Sequence, residues 1–108
     1  MNLPTEVFEN VVVVHTPEEL GGEQSGVFAT HVSEMDHANV VLDVDDTETL
    51  DSKGLEAVLE AQDRLRTRGG DVKLATSNPI NRKIFEITRL DQQLEMFVSV
   101  VDAVKSFR

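Results

Sequence analysis

The chain has 108 residues, no cysteine and a formal net charge of −10 at neutral pH, which suits one domain and excludes disulfides and thiolate metal sites. Its acidic balance would repel phosphate backbones and anionic lipid, and no apolar run approaches the ~20 residues that a membrane-spanning helix needs. Because the amino terminus also lacks the pattern of a signal peptide, we expect a single cytoplasmic domain over residues 1–108 with no nucleic-acid or membrane partner.

The first third of the chain predicts two strands followed by a helix. Apolar residues at 7–8 and then at 11–14, on either side of a turn, indicate an edge strand that returns as a central strand. A helix is predicted from about Glu23 to before Asn39, because one helical face collects Val27, Phe28, His31, Val32 and Met35. This helix should lie on the sheet through that stripe.

The central stretch organises the rest of the prediction. Residues 40–44 form an apolar run without alternation, which is typical of a strand covered on both faces in a parallel sheet. An amphipathic helix is predicted over 52–68, ended by Gly69-Gly70, with an apolar stripe of Leu55, Val58, Leu59, Gln62 and Leu65. Ligand sites on open parallel sheets lie at such strand-to-helix turns, so the loop from Asp43 to Gly54 is the candidate functional segment.

Two further strand–helix units complete the pattern. A strand over 72–75 leads to a helix that begins at Asn78-Pro79 and buries Ile80, Ile84 and Ile87. A strand over 94–98 leads to a last helix capped by Ser99, with a stripe of Val100, Val104 and Phe107. Alternation of strands and helices predicts an α/β fold: a mixed, mostly parallel five-stranded sheet with one antiparallel edge, flanked by four helices. The predicted core contains Val12, Val14, Phe28, Val32, Val41, Leu55, Val58, Leu59, Leu74, Ile84 and Val104.

Residues suited to catalysis are sparse. The histidines at 15, 31 and 37 lack ligand spacing to one another, and no glycine-rich phosphate loop or nucleophile elbow is present. The densest cluster is acidic, and its simplest interpretation is a solvated loop: Asp43, Asp45, Asp46 and Asp51. We therefore expect no catalytic residue, no metal site and no cofactor.

One alternative gives these acids a chemical role. The stretch Asp43-Val44-Asp45-Asp46-Thr47 resembles the D-x-D-x-T motif of haloacid-dehalogenase-type phosphatases, in which the first Asp attacks phosphate and both acids hold magnesium. Thr76-Ser77 resembles that family's second motif. The family also has an acidic pair after a later strand, and none follows residues 94–98, so magnesium would lack a protein ligand. A phosphatase that uses Asp43 and Asp45 is thus an alternative with an incomplete motif.

A second resemblance covers nearly the whole chain. Five blocks agree in order and spacing with the STAS domain of anti-sigma-factor antagonists: 40–44, 50–55, 69–74, 84–91 and 97–104. The most informative is Asp51-Ser52-Lys53-Gly54, which resembles the family's D-S-S-G or D-S-T-G at the start of the second helix. The resemblance implies a single STAS-type domain that acts in bacterial transcription regulation by protein–protein contact and is not an enzyme.

The resemblance also implies a partner and a site. In that family the loop and helix dock onto an anti-sigma factor, often a histidine-kinase-like serine kinase, which phosphorylates a hydroxyl residue of the motif and so breaks the complex. The implied partner-binding residues are Asp51, Ser52, Lys53 and Gly54. Lys53 occupies the usual phosphoacceptor position, so Ser52 is either the remaining candidate for phosphorylation or a helix cap. Thr49 also departs from the family, which usually has an apolar residue there; a STAS-like scaffold with a different partner is the alternative.

Overall fold

The computed structural model describes residues 1–108, and its main sheet has five strands. The strands are β1 (Thr5–Phe8), β2 (Val11–His15), β3 (Glu19–Leu20), β4 (Asn39–Asp43), β5 (Thr49–Leu50), β6 (Asp71–Ala75) and β7 (Met96–Phe97). In the main sheet the order is β1-β2-β4-β6-β7, with β1 antiparallel to β2 and every other pair parallel. The predicted mixed sheet is confirmed. The sequence missed β3 and β5, which pair in a second small sheet, because two residues are too few for a pattern.

Four α-helices flank the main sheet, as predicted. They are α1 (Ser25–Ser33), α2 (Ser52–Thr67), α3 (Pro79–Ile87) and α4 (Val100–Lys105). Helices α1 and α2 pack together over one face of the sheet, against a cluster that includes Val12, Val14, Val40 and Leu42. Helix α4 covers the other face, against Val11, Val13 and Val41. None of these helices combines the length and the apolar character that a bilayer crossing requires.

The ends of the helices follow from local side-chain chemistry. The Asn78 side chain accepts a hydrogen bond from the N–H of Ile80 at 2.9 Å, and the Ser99 hydroxyl accepts one from the N–H of Asp102 at 3.1 Å. Gly69 has a positive φ of 84°, and it lets the chain reverse so that the N–H of Gly70 bonds the carbonyl of Leu65. These caps confirm the predicted starts of α3 and α4 and the predicted end of α2.

The predicted buried face of α3 is wrong. Ile80 and Ile87 are each 70% exposed and Ile84 is half-buried, whereas Asn81 and Phe85 point inward. The Asn81 amide donates to two backbone carbonyls of the β4–β5 loop, that of Val44 at 2.7 Å and that of Thr47 at 2.8 Å. Because these hydrogen bonds hold Asn81 inside, the buried face of α3 is centred about one residue further along the chain than the isoleucine stripe.

Other boundaries differ from the prediction to a smaller degree. Helix α1 ends at Ser33 and is preceded by a 3₁₀ turn over Gly22–Gln24, so the first helix is shorter than predicted, and Val27 is exposed. The last strand is reduced to Met96–Phe97, since the chain before it forms a 3₁₀ turn. Four predicted core residues lie at its margin and are only half-buried: Leu55, Leu59, Ile84 and Val104.

Candidate functional site

The turn that starts α2 is held in place by Asp51. One carboxylate oxygen of Asp51 accepts the N–H of Gly54 at 2.8 Å, which caps the helix, and the other accepts the N–H of Gly22 at 3.0 Å. Asp51 thus joins the start of α2 to the loop before α1. The hydrogen bond from Gly54, supported by those from Gly22 and Lys53, lowers the pKa of Asp51, so this carboxylate stays ionised at neutral pH.

Close packing of backbone against backbone fixes the same turn. A Cβ atom on Gly54 would lie 2.0 Å from the carbonyl oxygen of Leu20, and one on Gly21 would lie 2.1 Å from a carboxylate oxygen of Asp51. The N–H of Asp51 also bonds the carbonyl of Leu20 at 3.4 Å. The α2 turn therefore sits on β3. At position 54 only glycine fits, because the obstacle there is backbone, whereas at position 21 the obstacle is the Asp51 side chain.

The two middle residues of the motif face the solvent. The side chains of Ser52 and Lys53 are exposed, and Lys53 has no carboxylate within ion-pairing distance. Capping of α2 is done by Asp51, so the Ser52 hydroxyl is left accessible. Thr49 is exposed in β5, which explains why this position tolerates a polar residue. All four predicted site residues thus lie together, two shaping the turn and two presented to solvent.

An acidic cleft lies beside this turn, between the start of α1 and the first turns of α2. It has a volume of about 340 Å³ and includes the side chains of Lys53 and three glutamates, Glu23, Glu56 and Glu60. The sequence did not reveal this cleft, because Glu23 is far from the other two along the chain. The only hint of this cleft in the sequence is the Gly21-Gly22 pair, because adjacent glycines are typical of a loop that packs closely against another part of the chain.

The acids proposed for phosphatase chemistry are engaged in structural contacts. Asp43 accepts a hydrogen bond from the N–H of Asp45 at 3.1 Å, and its other oxygen lies 3.0 Å from His15 Nδ1. Asp45 accepts from the Thr76 hydroxyl at 2.8 Å and from the Ser77 N–H at 2.7 Å. Burial alone would raise the pKa of Asp45, but these bonds outweigh it and lower that pKa.

His15 completes a second charged cluster at this edge of the sheet. Its Nε2 lies 2.7 Å from a carboxylate oxygen of Glu6 in β1, so the imidazole bridges two carboxylates on different strands. The hydrogen bond to Glu6, helped by Asp43 and opposed by burial, raises the pKa of His15. The cluster ties β1 to β4 across β2. His31 and His37 are not part of it; both lie near the other face, beside α1.

Comparison with known proteins identifies the family. The family model described as STAS domain matches residues 2–103. No curated protein matches the chain.

Several solved structures share the fold. A Thermotoga maritima protein, tm1081, described as a candidate anti-sigma-factor antagonist, gives a TM-score of 0.84 at 21% identity, over 96% of this chain and 92% of that one. An anti-sigma-factor antagonist from Mycobacterium paratuberculosis gives 0.82 at 19% identity, over 97% and 92%. The antagonist SpoIIAA of Bacillus, unphosphorylated, gives 0.78 at 20% identity, over 99% and 96%. At sequence identities this low, the structural similarity shows that this chain has the same fold as these proteins.

Proposed function

Because the chain belongs to the STAS-domain family, we propose that it is a non-enzymatic regulatory protein that acts by binding another protein. Its partner in this proposal is an anti-sigma factor or a serine kinase of the histidine-kinase-like type, in the bacterial cytoplasm. Residues 1–108 would then form one STAS domain. Support comes from the family match over residues 2–103 and from the likeness to antagonists along almost the whole chain.

The observation that carries the proposal is the geometry of the 51–54 turn. Asp51 and Gly54 hold a rigid backbone, and Ser52 and Lys53 project from it into solvent. A surface that is already ordered loses little conformational entropy on binding, which favours recognition. We therefore assign partner contact to Ser52 and Lys53, and the shaping of the surface to Asp51 and Gly54.

Lys53 bears on how the complex would be regulated. SpoIIAA has been solved in unphosphorylated and phosphorylated forms. Lysine cannot form a phosphate ester, and here it replaces the hydroxyl residue of the family motif. A phosphate on Ser52 would lie next to the ionised Asp51 carboxylate, which repels it, although Lys53 would attract it. We infer that the wild-type complex persists in ATP, so that the protein acts as a constitutive antagonist.

A second candidate, favoured by the same lysine, is a scaffold whose partner is not an anti-sigma factor. A partner without kinase activity has no need of an acceptor hydroxyl at position 53. The acidic cleft beside Lys53 would suit a basic surface on such a partner. The two candidates differ in which purified protein binds and in whether ATP affects the complex.

Restoring the hydroxyl provides the decisive experiment. The wild-type protein, Lys53→Ser and the remote charge control Lys83→Ser would each be titrated calorimetrically with every anti-sigma-factor kinase of the source organism, with and without Mg-ATP. We expect one kinase to bind all three, with ATP releasing only Lys53→Ser, which then carries phosphate at residue 53.

Other outcomes of this titration have definite meanings. Binding to none of the kinases would refute the anti-sigma partner and favour the scaffold. Stoichiometric phosphate on Ser52 of the wild-type protein would show that the switch has moved by one residue, against the constitutive model. Unchanged affinity in Lys53→Glu would remove this turn from the interface.

A further inference from the structure

Strand β1 leaves one side of the main sheet open. It is an outer strand, and all four of its residues are exposed. The N–H of His15 donates to the carbonyl of Pro4 at 3.0 Å, so Pro4, Glu6 and Phe8 are the positions that bond β2 in the antiparallel ladder. The backbone N–H and C=O groups of Thr5 and Val7 therefore point away from the sheet. Such a row of free donors and acceptors is a template for another strand.

An apolar groove lies directly beside this open edge. It has a volume of about 520 Å³ between the end of β1 and α4, and its apolar lining consists of Val7, Phe8, Val100, Val101 and Val104. Phe8 is 43% and Val101 59% exposed. Helix α4 has only six residues and covers this face of the sheet alone, whereas α1 and α2 share the other face. The β1 side of this face is therefore left uncovered.

The rim of the groove carries positive charge. Glu9 and Arg108 form an ion pair at 3.2 Å and neutralise each other. Lys105 is exposed and has no carboxylate within ion-pairing distance. The groove thus favours an acidic group, although the chain as a whole has a net charge of −10.

The edge is also fixed in position before any partner arrives. The β1–β2 hairpin turns tightly at Glu9, which adopts a positive φ of 58°. The Glu6 carboxylate is held by His15, which in turn contacts Asp43 of β4. A strand held at both ends presents its outer backbone groups in the extended geometry that pairing requires.

We propose that the β1 edge and this groove bind an extended segment of a partner protein. The segment adds a strand to β1 through Thr5 and Val7, places an apolar side chain against Phe8 and Val101, and brings an acidic residue to Lys105. A second copy of this chain fits less well, because two molecules of net charge −10 repel each other. This surface lies on the opposite face of the sheet from α1 and α2, so it is separate from the 51–54 turn.

The test begins with a probe that assumes no partner. A phage-displayed library of random dodecapeptides is selected against the immobilised protein, and the enriched peptide is synthesised for titration. We expect peptides that alternate apolar and polar residues and contain Asp or Glu. Their addition should shift the NMR amide signals of Thr5, Val7 and α4, and leave those of the 51–54 turn unchanged.

Two substitutions separate the proposed contacts from general effects. Val7→Pro removes the outward N–H without removing a bond to β2, and we expect about tenfold weaker peptide binding, the loss that one backbone hydrogen bond can cause. Its control, Val7→Thr, keeps the donor and should bind like the wild type. Lys105→Glu should weaken binding by a similar factor, most at low salt, while Lys83→Glu, which changes the net charge equally, should not.

Several results would overturn the proposal. These are failure to enrich any peptide over an unrelated protein, amide shifts at another surface, or equal affinity of Lys105→Glu and Lys83→Glu. Circular dichroism establishes whether Val7→Pro is folded. If Val7→Pro is not folded, the peptide affinity of Lys105→Glu tests the proposal. Concentration-dependent sedimentation that Val7→Pro abolishes would instead assign the edge to a second copy of the chain and refute the peptide site.

Discussion

Replacing Gly54 by alanine sets two opposing effects against each other. Alanine is favoured over glycine inside a helix by about 0.5–1 kcal/mol, so helix propensity alone predicts a more stable protein. However, the new Cβ would lie 2.0 Å from the carbonyl oxygen of Leu20, and real Cβ atoms essentially never come closer than 3.0 Å to another atom. Because the obstacle is backbone, α2 and β3 must separate by about 1 Å, the difference between these two distances.

The structure indicates which effect dominates. Overpacking of this kind costs about 1–3 kcal/mol. The separation also stretches the bond from Asp51 N–H to the Leu20 carbonyl and the bond from Gly22 N–H to the Asp51 carboxylate. The weakening of these bonds roughly offsets the gain in helix propensity, so we expect a net destabilisation close to the overpacking cost, about 1–3 kcal/mol.

Urea unfolding, followed by circular dichroism, measures this balance. For a small domain such a loss lowers the midpoint by about 1 M. Gly26→Ala in α1 is the matched control, since its Cβ would meet nothing within 4 Å, and it should stabilise the protein by about 0.4–1 kcal/mol. If Gly54→Ala unfolds at the wild-type midpoint or above it, the close approach of α2 to β3 is not what fixes this turn.

Two further predictions concern charged groups outside the turn. Lys73 is buried, donates to the Ser106 hydroxyl at 2.9 Å and lies 4.3 Å from the centre of the Phe107 ring, so Lys73→Met should cost about 1–2 kcal/mol and speed amide exchange in α4; equal stability would refute the role of the ammonium group. The raised pKa of His15 means that its ionic contacts stabilise the fold fully below its ordinary value of 6.5 and lose this effect as pH rises through the folded value. The urea midpoints of the wild type and of Glu6→Gln should therefore converge as the pH rises from 6.5 through the folded pKa of His15. A difference between the two midpoints that does not change with pH would contradict this prediction.

The central strands, the starts of α2, α3 and α4 and the end of α2 could be predicted because their causes are local. The run over 40–44 needs apolar residues on both faces, and caps such as Asn78 and Ser99 act on backbone groups two or three residues away. The pairing of β3 with β5 could not be predicted, since it depends on residues far apart in the chain and spans two residues in each strand. The same holds for the bridge from Asp51 to Gly22.

Helix α3 shows how a buried polar residue can override an apolar pattern. The isoleucines at 80, 84 and 87 have helical spacing, so counting apolar residues selects them as the inner face. The structure instead buries Asn81, because its amide donates to the loop carbonyls of Val44 and Thr47 and so has hydrogen-bond partners in the interior. An analysis of apolar periodicity places asparagine on the surface. It contains no information about the carbonyl groups that come together only when the loop folds.

The four residues of the motif are constrained in different ways, and this bears on Lys53. Asp51 must accept two N–H groups and Gly54 must admit the Leu20 carbonyl, so the fold itself requires both. Ser52 and Lys53 meet solvent, and the fold leaves their identities open. A lysine in the first turn of a helix is slightly unfavourable, by about 0.3–1 kcal/mol, so stability gives no reason for its presence. Contact with a partner, as proposed for this turn, would give one, and a change at position 53 would then alter regulation while the turn keeps its shape.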